Sequence, residues 1–266
     1  QLSVSALNNY LESPLKYFFR NLVRLPEPRS HFLDFGNLMH GSLEHFFNVC
    51  RESGKILGAD ILKKSFQCIL ESESYYAEFE DRAWEALESY HAYHRGSFVV
   101  PVENELTIRG IPFETKAGDI IYLSGAVDKI TRNPDGSLSV WDYKTGRVYS
   151  EVDKHRREKM KRQATFYKML LQNAYGGKYN FKTATFDFLE KNKMGEYERQ
   201  SFEITQSDVE ELKTQIQLLV DDIFKGTLLT KNFSLDSTNA ELLEFLEVMR
   251  GPRTKEQPSL FIKDEK

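Results

Sequence analysis

Two short segments decide the fold that we expect of this chain: GAVDKI at residues 125–130 and VWDYKTG at residues 140–146. Both are rich in β-branched and aromatic residues, and the NPDG sequence at residues 133–136 between them is typical of a tight turn. We therefore predict two antiparallel strands joined by a hairpin. Asp128 lies on the first strand and Asp142 on the second, so the hairpin places two carboxylates on neighbouring strands.

The residues around Asp142 suggest chemistry as well as structure. Side chains alternate along a strand, so Val140, Asp142 and Lys144 point to the same face. Mg²⁺ binds few carboxylates and keeps positions for water and a phosphate oxygen. A nearby lysine can activate the water or neutralise charge on the phosphate. A lone D-x-K triplet is more often a surface ion pair, but its combination with Asp128 and the hairpin is rarer and favours a hard-cation site.

The wider sequence predicts helices first, then a meander of strands, a helix, more strands and a last helix. Helices are predicted at about residues 6–23, 59–73, 78–95 and 156–175. A further helix is predicted from residue 34 onward, and a last helix is capped by Ser207 and ends at about residue 224. Strands are predicted at residues 99–109, 120–132, 137–144, 182–190 and 196–204. This order indicates an α/β fold with a central mixed β-sheet flanked by helices and an N-terminal helical subdomain.

We interpret residues 1–266 as a single domain. Its N-terminal helical part ends near residue 97, an α/β core covers about 98–225, and a tail covers about 226–266. Because the sequence begins with Gln1, we expect it to be part of a longer protein. The length is enough to bury a sizeable core, and 40% hydrophobic with 13% aromatic residues is typical of a globular chain.

Charge and cysteine content exclude several classes of protein. The net charge is −4, so a DNA-binding role requires a local basic patch rather than a basic chain. Cys50 and Cys68 lack the spacing of a zinc site or a disulfide framework, so we expect a reducing, cytoplasmic environment and two small core residues. No apolar run reaches the roughly 18 to 20 residues that would cross a membrane.

The GxxDxI and DxKT sequences together resemble the PD-(D/E)xK nuclease superfamily, specifically its RecB-like branch. That branch includes the nuclease domains of RecB and AddB and the CRISPR adaptation exonucleases. The resemblance implies a restriction-endonuclease-like core. It also implies that Asp128 and Asp142 hold Mg²⁺ or Mn²⁺ together with the backbone carbonyl of Tyr143, and that Lys144 acts with the two acids in catalysis.

An upstream histidine fits the same family. GNLMHG at residues 36–41 matches its GxxxH context, and Gly36 lacks a side chain that would keep another element at a distance. A lone histidine at the edge of an apolar stripe is usually a half-buried residue with a satisfied hydrogen bond, but the resemblance implies that His40 is a metal ligand. Glu44, one turn later, is a weaker candidate for orienting His40 or a water, and His45 is expected at the surface.

A glutamine and a tyrosine fit the QxxxY motif that marks the branch, in the QATFY sequence at residues 163–167. Helical spacing places Gln163 and Tyr167 on one side of their helix. A glutamine on a buried stripe needs hydrogen-bond partners, so one reading is a polar residue tied to nearby backbone. The resemblance implies instead that both face the catalytic cleft and help to place the DNA strand or Lys144.

A basic run, KHRREKMKR at residues 154–162, precedes that motif. Such a run is usually a solvated helix face, but beside a phosphodiester-cutting site it is equally consistent with a ridge that contacts phosphates. The cations predicted to bind nucleic acid are Arg147, Arg156, Arg157, Lys161 and Arg162.

The family often carries an iron–sulfur cluster, and we predict none here. Ser13 stands where many members have the first cysteine, and no C-terminal trio of cysteines exists. The resemblance therefore implies a cluster-free, metal-dependent DNA exonuclease that acts on single-stranded ends in recombination and repair. It further implies a helicase domain or subunit as partner, within a helicase–nuclease or AddB-like protein.

Two other functions stay open at this point. A nuclease-like module could bind DNA ends or a partner without cutting, although such a module would be expected to have lost an acid or the lysine, and all are present. An unrelated metal hydrolase acting on small phosphoesters would share the carboxylates but would leave Gln163 and Tyr167 unexplained.

Overall fold

The structure, a computed structural model, describes residues 1–26, 30–146, 154–176 and 180–229. The strands are β1 (Glu103–Glu114), β2 (Ile120–Arg132), β3 (Leu138–Lys144), β4 (Phe181–Phe188) and β5 (Arg199–Glu203). The α-helices are α1 (Val4–Glu12), α2 (Pro14–Tyr17), α3 (His31–Ser53), α4 (Ala59–Leu70), α5 (Glu80–His94), α6 (Lys154–Ala174) and α7 (Gln206–Phe224). None of the helices within these ranges is long and apolar enough to cross a membrane.

The five strands form one mixed sheet in chain order, from β1 to β5. β2 pairs antiparallel with β1 and with β3, and β4 pairs antiparallel with β5. β3 and β4 are parallel, and such a pair needs a crossover connection, which contains α6. The predicted α/β fold with a central mixed sheet flanked by helices is confirmed.

Two apolar clusters enclose the β2–β3 hairpin. Helices α1, α6 and α7 contribute to the first cluster, which includes Val140, Phe166 and Ile216. Helices α3, α4 and α5 contribute to the second, which includes Phe46 and Tyr143. Val140 and Tyr143 are an odd number of residues apart on β3, so they point to opposite faces of the sheet. The hairpin is therefore held between two helical layers.

The prediction of a single helix over residues 6–23 is wrong. α1 ends at Glu12, and Ser13 is extended with a φ of −160°. Ser13 caps α2, whose first residue is Pro14. A proline has no backbone N–H to donate, so it is tolerated at the start of a helix and interrupts one that would continue through it. The chain then continues as a π-helical segment, Phe18–Val23.

The start of α7 also differs from the prediction. The N-cap is Thr205 rather than Ser207. The Thr205 side chain accepts a hydrogen bond from the Asp208 backbone N–H at 3.3 Å, and the Asp208 carboxylate accepts one from the Thr205 backbone N–H at 2.9 Å. This reciprocal capping box satisfies two helix-terminal donors, which a lone serine cap cannot do.

A buried ion pair joins β4 to β5 under α5. The Asp187 side chain is fully buried, and its Oδ2 lies 3.1 Å from Arg199 Nη2. The same oxygen accepts a hydrogen bond from the Tyr90 hydroxyl at 2.6 Å. Removing one member of a buried pair leaves the other charge without compensation, which is strongly destabilising. The pair therefore fixes the far edge of the sheet to the helical layer.

We predict that Arg199→Ala lowers the free energy of unfolding by about 3 kcal/mol, because the Asp187 carboxylate loses its cation in a site that excludes water. Urea denaturation measures the loss. The control is Lys182→Ala, which removes the exposed Lys182–Asp135 ion pair (2.9 Å) and should cost less than about 1 kcal/mol. Equal losses of unfolding free energy in the two variants would contradict the conclusion that the buried Asp187–Arg199 pair contributes more to stability than an exposed ion pair.

Candidate metal centre and nucleic-acid cleft

The centre is built on the β2–β3 hairpin. Lys129 pairs with Trp141 across the two strands, so the register places Asp128 beside Asp142 at the next position. Asp128 Oδ2 accepts a hydrogen bond from the Tyr143 backbone N–H at 2.7 Å. This bond ties the first carboxylate to the neighbouring strand, and the structure brings together the two acids that the sequence singled out.

Asp142 is 4% exposed and contacts three polar side chains. Its Oδ1 accepts hydrogen bonds from the Tyr167 hydroxyl at 2.6 Å and from Gln163 Nε2 at 2.8 Å. Its Oδ2 is buried without a hydrogen bond of good geometry and forms an ion pair with Lys144 Nζ, 2.5 Å away. Lys144 Nζ also donates to Gln163 Oε1 at 3.2 Å. Gln163 and Tyr167 thus orient Asp142 directly, and Gln163 also orients Lys144.

Helix α3 brings His40 to the hairpin. His40 Nδ1 lies 3.4 Å from Asp128 Oδ2, and the histidine side chain is 32% exposed. Gly36, one turn earlier, permits this approach, because a Cβ at that position would lie 3.1 Å from Thr145 Oγ1. The glycine of the GxxxH sequence therefore lets α3 lie against the chain that leaves β3.

Glu105 belongs to the centre and was missed by the sequence analysis. The register of β1 with β2 places it opposite Asp128. Its φ of 50° is unusual for a residue with a side chain. Ligand atoms of His40, Glu105 and Asp128 all lie within 4.8 Å of one another. The sequence of residues 103–106 is ENEL, and only the strand register distinguishes Glu105 from Glu103.

The carboxylates of the centre repel one another in a poorly solvated place. Burial, followed by the charges of Asp142 and Glu105, raises the pKa of Asp128 well above its usual value. Burial, followed by the charges of Glu44 and Asp142, raises the pKa of Glu105 to about 7. Burial lowers the pKa of His40 against the opposing effect of Asp142, which favours the neutral imidazole. Ionisation of both Asp128 and Glu105 is therefore unfavourable unless a further cation compensates their charge.

This donor set fits a hard divalent cation. Carboxylate oxygens with one neutral imidazole suit Mg²⁺ or Mn²⁺, and a cation would relieve the repulsion between the acids. Asp142 Oδ2 is paired with the Lys144 ammonium at 2.5 Å, so a cation bound at this oxygen would share or replace that contact. His40, Glu105 and Asp128 have ligand atoms within 4.8 Å of one another and would hold the cation. Asp142, which lies beside them, stays a predicted ligand. The Tyr143 peptide lies at the centre because its N–H donates to Asp128 Oδ2 at 2.7 Å, and its carbonyl as a ligand stays a prediction.

A family model matches this chain over residues 1–234, and it describes the PD-(D/E)XK nuclease superfamily. The chain belongs to the PD-(D/E)XK nuclease superfamily. This confirms the resemblance inferred from the two strand motifs. Nucleases of this superfamily use divalent metals, in agreement with the cluster of His40, Glu105 and Asp128.

The individual proteins that resemble this nuclease-superfamily chain share little sequence identity with it. A subunit of the ATP-dependent helicase/deoxyribonuclease of Carboxydothermus hydrogenoformans is 26% identical over 183 residues, which cover 57% of this chain and 17% of the relative. The chain therefore spans a small part of that protein's length. A solved structure described as a candidate exonuclease, from Eubacterium rectale, aligns with 16% identity and a TM-score of 0.45, over 96% of this chain and 89% of that one. The crystal structure of SSO0001 aligns with 12% identity and a TM-score of 0.36, over 82% and 85%.

A cleft of about 990 Å³ opens on the Lys144 side of the nuclease centre. Lys144 and Gln163 line it together with Thr145. The other cations that line it are Arg82, Arg156, Lys159 and Lys191. A concave surface lined by cations concentrates positive potential, which attracts polyanions. Glu190 also lines the cleft and pairs with Arg82, and Lys159 pairs with Glu12, both at 2.7 Å. The lining still has more cations than anions, so Lys144 is reached from a cleft with an excess of positive charge.

Only part of the predicted basic run faces this cleft. Arg156 and Lys159 line it, and Lys159 was not among the predicted contacts. Arg157 turns away, with its guanidinium carbon 5.1 Å from the centre of the Phe202 ring on β5. Consecutive residues of a helix point in different directions, so a basic run on α6 does not form one ridge.

Two other members of the run hold α6 against α7. Lys161 Nζ forms an ion pair with Asp208 Oδ1 at 2.6 Å. Arg162 Nε donates a hydrogen bond to Gln215 Oε1 at 2.9 Å. Arg162 Nη1 also donates to Asn8 Oδ1 at 2.7 Å, and Asn8 lines the cleft. Lys161 and Arg162 are not themselves among the residues that line the cleft, and their contact with nucleic acid stays a prediction. Arg147 lies outside the described residues.

Two smaller predictions about α3 and α4 are also corrected. His45 is half-buried rather than at the surface, because its Nδ1 lies 2.9 Å from Ser65 Oγ and links the two helices. Cys50 is buried, as predicted, but Cys68 is exposed and is not a core residue. Both thiols are free.

Proposed function

We propose that this chain is a Mg²⁺- or Mn²⁺-dependent deoxyribonuclease that hydrolyses phosphodiester bonds as an exonuclease on single-stranded DNA ends. The observation that carries the proposal is the position of Lys144. Its ammonium lies 2.5 Å from the Asp142 carboxylate and its side chain also lines the basic cleft. A phosphate that enters the cleft therefore meets this ammonium next to the carboxylate centre.

His40, Asp128 and Asp142 would hold the ion, with Glu105 beside them. The chemistry that a divalent ion would supply when bound there is polarisation of the phosphate and easier ionisation of water. Lys144 holds a positive charge where negative charge develops on the phosphate during hydrolysis.

Gln163 and Tyr167 are positioning residues in this proposal. They hold Asp142 Oδ1 through hydrogen bonds of 2.8 and 2.6 Å. Groups fixed before the reaction need little reorganisation during it, and this is a main source of enzymatic rate enhancement.

The DNA substrate and the helicase partner are supported by the relative from Carboxydothermus hydrogenoformans, whose name joins a helicase and a deoxyribonuclease. Because the chain spans only 17% of that relative, a helicase domain or subunit and a role in recombination and repair are part of the proposal. The free thiols of Cys50 and Cys68 support a reducing, cytoplasmic location. Arg156 is retained as a candidate phosphate contact because it lines the cleft.

A product analysis tests the proposal. Linear single-stranded, linear double-stranded and circular single-stranded DNA are incubated with the chain in Mg²⁺, in Mn²⁺ and in EDTA. We expect release of short products from linear single strands with either metal, slower digestion of duplex, and an intact circle. Cleavage of the circle would contradict the exonuclease assignment. Binding of DNA without cleavage in both metals would instead indicate a non-cutting module, and activity confined to small phosphomonoesters would indicate a different hydrolase.

We predict that Tyr167→Phe lowers kcat for DNA about tenfold and raises the Mg²⁺ concentration needed for half-maximal activity, because Asp142 loses one hydrogen bond to its charged group. Metal-titrated digestion measures both values. The matched control is Tyr122→Phe, since Tyr122 is 51% exposed and lies on the same sheet away from the centre. A Tyr167→Phe variant with the parental metal requirement and kcat would contradict the positioning role.

A further inference from the structure

We propose that Phe32 forms a base-stacking subsite at the mouth of the cleft, where its ring holds an unpaired nucleobase of the strand that reaches Lys144. The inference rests on the proposed nuclease function and deepens it, because it assigns the preference for single-stranded ends to a particular side chain. Phe32 lies in the first turn of α3, is 84% exposed, and lines the same cleft as Lys144 and Gln163.

The position of Phe32 follows from the spacing of residues on α3. Phe32, Gly36 and His40 succeed one another at intervals of four residues, so they lie on the same side of the helix. Gly36 packs against Thr145, and His40 reaches Asp128. At about 1.5 Å of rise per residue, Phe32 lies about 12 Å from His40 along the helix axis. The helix therefore presents a metal ligand and an aromatic ring to different nucleotides of one strand.

The hydrophobic core does not require Phe32. Phe35, one turn later, is 4% exposed and anchors this end of the helix. It packs edge-on against Phe79, with a ring separation of 6.0 Å, and the Arg82 guanidinium lies 4.4 Å from its ring centre. Leu33 is 62% exposed and is not among the residues that line the cleft. Of the two exposed apolar side chains of this turn, Phe32 is therefore the one that lines the cleft.

An exposed aromatic ring beside cations is the combination that binds single-stranded nucleic acid. Cations track the phosphates, and aromatic rings stack on bases regardless of sequence. Arg156 and Lys159 lie on the α6 side of the same cleft, where Lys159 also pairs with Glu12 at 2.7 Å. In a duplex each internal base already stacks on its neighbours, so a free ring selects unpaired or frayed ends. The occupant of the subsite is therefore a base of single-stranded DNA.

The test is an abasic scan. Single-stranded oligonucleotides that lack one base at successive positions from the end are bound to the wild type and to Phe32→Ala in EDTA, and affinity is measured by fluorescence anisotropy. We expect one position at which removal of the base weakens binding by the wild type about tenfold. A loss of this size corresponds to one base–aromatic stacking contact. Phe32→Ala should bind intact DNA about tenfold more weakly and be insensitive at that position. Phe32→Tyr should behave as the wild type.

The control is Leu33→Ala, which removes the adjacent exposed apolar side chain and should leave affinity unchanged. Two results would overturn the proposal. One is that Phe32→Ala and the wild type show the same dependence of affinity on the position of the missing base. The other is that Leu33→Ala loses as much affinity for intact DNA as Phe32→Ala does. The binding arm needs neither metal nor cleavage, so its result is independent of activity. Absence of metal-dependent cleavage by the wild type, in a parallel digestion, would contradict the nuclease proposal while leaving the stacking result intact.

Discussion

Asp142→Asn is expected to reduce DNA cleavage about a thousandfold or more. The amide keeps the shape of the side chain but removes the negative charge that would hold the metal and that pairs with Lys144 at 2.5 Å. Loss of several kcal/mol of transition-state stabilisation corresponds to a factor of this size. Initial rates on end-labelled single-stranded DNA in saturating Mg²⁺ measure the loss, and Mn²⁺ affinity measured by calorimetry should fall in parallel.

Asp135→Asn is the matched control for this variant. Asp135 lies in the β2–β3 turn, is 53% exposed, and pairs with Lys182 rather than with any residue of the centre. Its substitution should leave both cleavage and metal affinity at the parental values. Parental cleavage by Asp142→Asn would show that the carboxylate has no part in hydrolysis.

Lys144→Ala is expected to abolish cleavage to a similar degree, about a thousandfold, while metal binding persists. The lysine contributes positive charge at the phosphate rather than a ligand, so its loss affects the reaction more than the ion. Far-ultraviolet circular dichroism should be unchanged, because the side chain is about one-third exposed at the end of β3. The same initial-rate and calorimetric measurements distinguish it from Asp142→Asn.

Lys182→Ala is the control for the loss of a lysine, since Lys182 is exposed and lies on β4 away from the cleft. If Lys144→Ala cut DNA at the parental rate in Mg²⁺, the proposed mechanism would be wrong. If it lost metal binding as completely as Asp142→Asn does, the lysine would be needed to organise the centre rather than to stabilise the reacting phosphate.

The local parts of the centre were predictable from the sequence. A tight turn fixes a hairpin, and the period of two along a strand fixes which side chains share a face, so Asp128, Asp142 and Lys144 could be placed together. His40 was assigned through the resemblance to the family's GxxxH context, and the glycine of that context does lie close to Thr145. Each of these inferences depends on neighbours within a single strand, turn or helix.

The parts that depend on long-range register were not predictable. Glu105 joins the centre because β1 pairs with β2 in one particular alignment, with a left-handed φ at that glutamate. Nothing in the ENEL sequence at residues 103–106 encodes that alignment. The side chains of the basic run on α6 likewise divide between the cleft and α7, and Lys161 and Arg162 are bonded to α7 because that helix packs beside them. Tertiary contacts decided both outcomes.

One measurement tests the central claim most directly: hydrolysis of end-labelled single-stranded DNA by the wild-type chain as Mg²⁺ is titrated, with Lys144→Ala assayed beside it. We predict that the wild type releases nucleotides in proportion to metal occupancy, stops when EDTA is added, and resumes with excess Mg²⁺, while Lys144→Ala releases none above background. Cleavage that is independent of metal, or equal cleavage by the two proteins, would contradict the account.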